Sequence, residues 1–222
     1  MSRSQRLRID FVSDIACPWC AIGFAALRRA LARLGDTVEA DIHLQPFELE
    51  PDLPHEGVDA AERLKQKYGM DDAQLEVNRQ RIRERADALG VTIRHAPGQR
   101  SWNTFDAHRL LHWASQRDAA KALRLQELLF RAYFADNENV ADHAVLRRLA
   151  EAADLDGDAA TTMLSGDAGA DDVRALEQGW QRTGVQSVPA TVINGQYLIS
   201  GGQPPETFEK ALRDIATQGS SD

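Results

Sequence analysis

Cys17-Pro18-Trp19-Cys20 decides the fold, because it lies between a strand-like run and a helix-like run. Upstream, Leu7, Ile9 and Phe11 alternate with polar neighbours, the period-two pattern of a strand. Downstream, Ala21 to Leu34 carries Ile22, Leu27, Leu31 and Leu34 at helical spacing. Pro18 suits the first helical turn, since its fixed φ is already helical and its missing N–H would have had no intrahelical partner. Cys17 is thereby placed at a helix N-terminus, where unpaired N–H groups and the positive end of the helix dipole favour a thiolate. Cysteines so placed have pKa values of about 3.5–7.5, against about 8.5 for the free side chain. Cys20 follows one turn later on the same face and can attack a mixed disulfide on Cys17, releasing the substrate thiol. The pair reads as nucleophile Cys17 and resolving Cys20.

No other cysteine exists in the 222 residues. A structural zinc site needs four ligands and usually a second CxxC or a Cys/His pair, so one CxxC does not make one. His108 and His112 share a helix face but supply only two ligands and lack the intervening glutamate of a metalloprotease helix. No metal is expected. A purely structural bridge is equally unpromising, because two intervening residues close too short a loop to constrain the unfolded chain.

The net charge of −8 argues against a nucleic-acid surface and an anionic membrane surface. No apolar run reaches membrane-span length, and Asp10 and Asp14 interrupt any signal-like stretch after the basic Arg3, Arg6 and Arg8. The expected location is the cytoplasm, where a lone CxxC is more readily catalytic than structural. The expected partners are a thiol or disulfide substrate, protein or small molecule, with no nucleic acid and no membrane.

Beyond the first helix, Val38, Ala40, Ile42 and Leu44 mark a second strand within Thr37 to Leu49, so the chain opens as βαβ. Helical patterns then dominate from about Asp59 to Thr183: Ala60 to Tyr68, Asp71 to Leu89, Thr104 to Gln116, Ala119 to Ala135, His143 to Ala153 and Asp171 to Arg182. The finish changes character. Ala190 to Ile193 and Gln196 to Ile199 flank Asn194-Gly195, a dipeptide that favours a type I′ hairpin turn. Pro204-Pro205 then opens a last helix whose Phe208, Leu212 and Ile215 share a face. The fold class is α/β, with a discontinuous domain over residues 1–50 and 184–222 and an inserted all-helical domain over 51–183.

A βαβ start with CxxC at the first helix and a ββα finish resembles the thioredoxin fold, and the helical insertion is similar to that of the DsbA superfamily. Five stretches narrow the resemblance to its FrnE-like group: Cys17-Pro18-Trp19-Cys20, Gln45-Pro46-Phe47-Glu48-Leu49, Asn103-Thr104 with Ala107-His108-Arg109-Leu110, Gly184-Val185-Gln186-Ser187-Val188-Pro189, and Ser200-Gly201-Gly202-Gln203-Pro204-Pro205. The resemblance implies a cis Pro189 beside the dithiol and a Val188 backbone that pairs with bound substrate. Without it, Pro189 would read as an ordinary trans proline starting a strand. Pro18 and Trp19 join Val188 and Pro189 as expected substrate-binding residues.

Other polar and aromatic residues read more plainly. Asp14 is expected to be a solvated loop acid, the alternative being an acid that tunes the thiols. Trp102, Phe105 and Trp113 read mainly as core, with a substrate groove as the alternative. Arg79, Arg81, Arg83 and Arg85 read as the solvated face of a long helix. The leading function is a cytoplasmic thiol–disulfide oxidoreductase with no tightly bound cofactor, its redox group being the Cys17–Cys20 disulfide and glutathione a candidate co-substrate. The alternatives are a glutathione-dependent isomerase or transferase resembling 2-hydroxychromene-2-carboxylate isomerase or kappa-class glutathione transferase, and a non-catalytic chaperone or interaction module.

Overall fold

A computed structural model describes residues 5–218. Its centre is a four-stranded sheet in the order β2-β1-β5-β6, built from β1 (Gln5–Ser13), β2 (Val38–Pro46), β5 (Ala190–Ile193) and β6 (Tyr197–Ser200). β1 pairs in parallel with β2 and antiparallel with β5, so Ile9 lies between Ile42 and Ile193. A parallel pair requires a crossover, and α1 (Pro18–Leu34) supplies it. The β5–β6 hairpin turns at Asn194 and Gly195, whose φ values of 51° and 67° are the two positive angles a type I′ turn demands. α9 (Pro205–Gln218) then packs beside α1.

The chain between β2 and β5 forms α2 (Ala60–Tyr68), α3 (Asp72–Asp87), α4 (Phe105–Ser115), α5 (Ala119–Phe134), α6 (His143–Ala152), α7 (Gly157–Leu164) and α8 (Ala170–Arg182). Aspartates start several of them: the side chains of Asp59, Asp118, Asp142 and Asp156 accept first-turn N–H groups, and Asp71 forms a reciprocal capping box with Gln74. Two features were not anticipated. α7 is short and rich in Ala and Thr, with too little apolar periodicity to stand out. β3 (Val58–Asp59) and β4 (Arg100–Ser101) form a two-residue ribbon between segments 40 residues apart in sequence, below the length at which alternation can be read.

Aromatic side chains tie the sheet to the helices. Phe11 of β1 lies 5.3 Å from Phe24 of α1, which lies 6.2 Å from Phe130 of α5. Phe11 and Phe24 are almost wholly buried, so each contributes about 1.5–3 kcal/mol by leaving water, and truncating Phe24 to alanine would cost about 3–5 kcal/mol. One continuous apolar core holds α1, the sheet and the helical segment in fixed relation. Trp102 and Trp113 belong to it; Trp102 packs edge-on to Tyr133 at 5.7 Å.

Candidate active site

Cys17 is the N-cap of α1, with extended φ and ψ of −94° and 112° and Pro18 following in the first turn. Its carbonyl accepts the N–H groups of Cys20 and Ala21 at 3.0 and 3.3 Å, so Cys17 occupies the cap position that the sequence assigns it. Both cysteines are free thiols. Cys17 is 4% exposed and Cys20 wholly buried, a small difference that leaves only Cys17 with an opening to solvent. The Cys17 Sγ lies 3.7 Å from the Val188 carbonyl oxygen, and the Val188–Pro189 bond is cis. Pro18, Trp19, Val188 and Pro189 thus gather at the dithiol.

Two glycines make this closeness possible. A Cβ on Gly202 would stand 2.9 Å from the Trp19 carbonyl oxygen, and one on Gly23 would stand 3.1 Å from Pro189 Cγ. The absence of a side chain at both positions lets the β6–α9 loop and the Pro189 loop rest directly on the first turn of α1. The Gly201 N–H closes the arrangement by donating to the Pro189 carbonyl at 2.8 Å.

Burial pushes the Cys20 thiol well up, and the neighbouring Cys17 pushes it further. The Asp14 carboxylate adds to this, while its backbone N–H works in the opposite direction. Cys20 therefore stays protonated in the dithiol.

Asp14 is not a solvated loop acid. It is 1% exposed, and four groups converge on its carboxylate: the Ala16 N–H at 3.2 Å, the Leu49 N–H at 2.7 Å, the Thr104 hydroxyl at 2.9 Å and His108 Nε2 at 3.4 Å. Burial alone would raise its pKa, but the bond to His108, the His108 charge and the two backbone donors together hold it below the usual carboxylate value. His108 is 3% exposed; burial works against its charge, and Asp14, Glu177 and Glu48 more than compensate, so its pKa is raised. Next to this pair, Arg174 bonds both Glu48 and Glu177, and each glutamate keeps one buried oxygen without a partner. Burial, followed by the Glu177 charge, pushes Glu48 up to about 7.

The sequence signal for this network lay in two of the five quoted stretches. Glu48 and the Leu49 N–H come from the Gln45–Leu49 stretch, Thr104 from Asn103-Thr104, and His108 from the segment after it. Arg109, beside His108, is buried and donates to the carbonyls of Met163 at the end of α7 and of Gly166 and Ala168 in the loop before α8. His112 turns elsewhere, to Gln116 at 2.9 Å, so the two histidines do not act as a pair. The arginines of α3 are also more engaged than a solvated face would be. Arg81 lies over the Trp19 ring at 5.5 Å, Arg85 donates to the Gly202 carbonyl at 3.0 Å, and Arg79 and Arg83 flank Glu76.

The DSBA-like thioredoxin domain family matches residues 8–213, taking in the dithiol, the helical segment and the closing ββα unit. The chain belongs to the DsbA family. This DsbA-family protein has the thioredoxin-like fold with helices between its two halves that the motifs imply. It is 34% identical to SCO1869 of Streptomyces coelicolor, a probable DsbA oxidoreductase of known crystal structure; 96% of this chain and 90% of that one are covered, with a TM-score of 0.87. Two further structures are similar in fold. One is a 2-hydroxychromene-2-carboxylate isomerase, at 16% identity, 96% and 98% coverage and a TM-score of 0.69. The other is the cytosolic disulfide reductase DsbM of Pseudomonas aeruginosa with GSH, at 15% identity, 95% and 99% coverage and a TM-score of 0.66.

Proposed function

We propose that this DsbA-family protein is a FrnE-like thiol–disulfide oxidoreductase of the cytoplasm, with Cys17 as nucleophile and Cys20 as resolving thiol. One observation carries the reading: Cys17 caps α1 with its sulfur beside the Val188 carbonyl, one turn ahead of a fully buried second thiol. The Cys17 thiolate attacks one sulfur of a substrate disulfide, a new S–S bond forms, and the other half of the substrate departs as a thiolate. Cys20 then attacks the Cys17 sulfur. The mixed disulfide breaks, the Cys20 proton passes to the departing thiolate, and two electrons have moved from the dithiol to the substrate. The edge formed by Val188 and Pro189, with Pro18 and Trp19 opposite, is where the substrate chain would lie.

No cofactor need be held, since the redox group is the cysteine pair itself. Glutathione is a candidate co-substrate that returns the pair to the dithiol. DsbM, a cytosolic disulfide reductase solved with GSH, favours both that role and the cytoplasmic location. Among the described residues no helix is long and apolar enough to cross a membrane. The FrnE-like assignment draws on the convergence of Leu49, Thr104 and His108 on Asp14.

Trapping tests the reading. Cys20→Ser should accumulate mixed disulfides on Cys17, because nothing resolves them, and Cys17→Ser should abolish insulin reduction with dithiothreitol. Full activity of both variants in a glutathione-dependent isomerisation, with no exchange activity in the wild type, would establish the isomerase instead.

A further inference from the structure

The dithiol has an unusual electrostatic border for an acidic chain. Trp19, between the two cysteines, carries the Arg81 guanidinium over its ring at 5.5 Å. On the adjoining side, the Gly202 backbone touches the Trp19 carbonyl so closely that a Cβ there would fall at 2.9 Å, and Arg85 donates to the Gly202 carbonyl. Arg81 and Arg85 lie four residues apart, on one face of α3.

Neither cation is neutralised. Arg81 bonds Asn78 at 3.1 Å and Arg85 bonds a carbonyl; among the described residues neither has a carboxylate within ion-pair distance. The neighbouring acids are otherwise engaged. Glu76 takes Arg79 and Arg83, and Glu84 accepts from Gln80. Two guanidinium groups without a carboxylate partner therefore stand against Trp19 and the Gly202 loop, the rim around the dithiol, in a chain whose net charge is −8.

We propose that Arg81 and Arg85 select small disulfides and thiols that carry a carboxylate close to sulfur. The proposal rests on the oxidoreductase reading above and adds the charge class of the substrate. A guanidinium presents planar, paired donors that match a carboxylate and stays ionised at any working pH. Cys17, 4% exposed between α1 and the Val188 carbonyl, admits a slender molecule more readily than a folded protein surface. The rim also opposes an intrinsic penalty: the Cys17 thiolate repels anions, so a dithiol without flanking cations would favour cationic disulfides.

A charge series reads this directly. The reduced wild-type protein is mixed in single turnover with dithiodipropionate (anionic), bis(2-hydroxyethyl) disulfide (neutral) or cystamine (cationic), and the second-order rate of dithiol oxidation is measured at low and high salt. Each rate is divided by that of the same disulfide with free 2-mercaptoethanol, which removes the leaving-group differences; on that scale the expected order is anionic, neutral, cationic, and the spread should narrow with salt as screening sets in. Arg81→Gln should lower the anionic-to-neutral rate ratio by about threefold, the Coulomb factor for one charge pair at about 6 Å in water, while Arg81→Lys should retain most of it. A cationic preference, or a ratio unmoved by Arg81→Gln, overturns the proposal. Faster oxidation by a disulfide within an unfolded acidic peptide than by dithiodipropionate overturns the small-molecule assignment. Oxidation by none of these disulfides would sink the oxidoreductase reading, and the proposal with it.

Discussion

The Asp14 carboxylate lies 3.4 Å from His108 Nε2 with both side chains buried, and this contact joins the loop that presents Cys17 to a helix more than 90 residues further along the chain. The Cys17 N–H donates to the Asp14 carbonyl at 3.2 Å, so the residue that binds His108 also fixes the backbone of Cys17. Asp14 and His108 are positioning residues. They set where the dithiol sits and how much negative charge Cys20 faces.

His108→Gln keeps a donor for Asp14 but removes the positive charge. The His108 pKa is raised in the folded state, so its contribution to stability is fully present below the unfolded value of about 6.5 and fades as pH rises through the folded value. The stability gap between wild type and His108→Gln should therefore be widest at and below about pH 6.5. It should amount to about 1–3 kcal/mol there and shrink in alkali. Denaturant unfolding across pH measures it, and a gap that does not vary with pH would show that His108 is not charged.

The two thiols should separate under alkylation. Burial, followed by the neighbouring Cys17, pushes the Cys20 thiol well above its ordinary value, which keeps it protonated near neutrality. A short iodoacetamide pulse followed by mass mapping should find the label on Cys17, which alone has an opening to solvent. Label appearing first on Cys20 would reverse the assigned roles.

The ends of this chain were legible because their signals are local. Pro18 and the alternation of Leu7, Ile9 and Phe11 identify the strand-to-helix turn within a dozen residues, and Asn194-Gly195 marks the hairpin by its own conformational preference. Asp14 was illegible for the opposite reason. Nothing near it in sequence says whether it meets water, because its partners Leu49, Thr104 and His108 lie 35 to 94 residues away. The same holds for Arg81 and Arg85, whose sequence neighbours are those of an ordinary polar helix and whose actual contacts are Trp19 and Gly202. Polar residues in this fold are assigned their roles by tertiary contact, whereas apolar ones announce themselves by period.

Gly202→Ala should damage the site more than its surroundings. The new Cβ meets backbone, the Trp19 carbonyl oxygen at 2.9 Å, and cannot be accommodated by a side-chain rotation. Overpacking of this kind costs about 1–3 kcal/mol and shifts backbone, here the loop that rests on the first turn of α1. Insulin reduction by the variant should fall well below wild type even under conditions where circular dichroism shows it fully folded. Gly23→Ala, whose nearest contact is a proline side-chain atom at 3.1 Å, should be milder on both counts.

Glu48→Gln should stabilise the protein, by an amount that grows as pH rises through the acid range and is complete above about neutrality. Glu48 is buried beside Glu177, and burial followed by that neighbouring charge raises its pKa to about 7. Because its folded value exceeds its unfolded value of about 4.3, the folded state binds the extra proton, and stability declines as pH climbs from the lower value to the higher. Once both values are passed, an ionised Glu48 costs up to about 3 kcal/mol relative to its ionisation in the unfolded chain. Glutamine carries no such cost and leaves Arg174 its bond to Glu177 at 3.0 Å. Thermal unfolding at about pH 8 should therefore place Glu48→Gln above wild type, and at about pH 4 the advantage should vanish. Loss of stability at both values would mean that Glu48 is held as a carboxylate by Arg174 and that the charge pair outweighs burial.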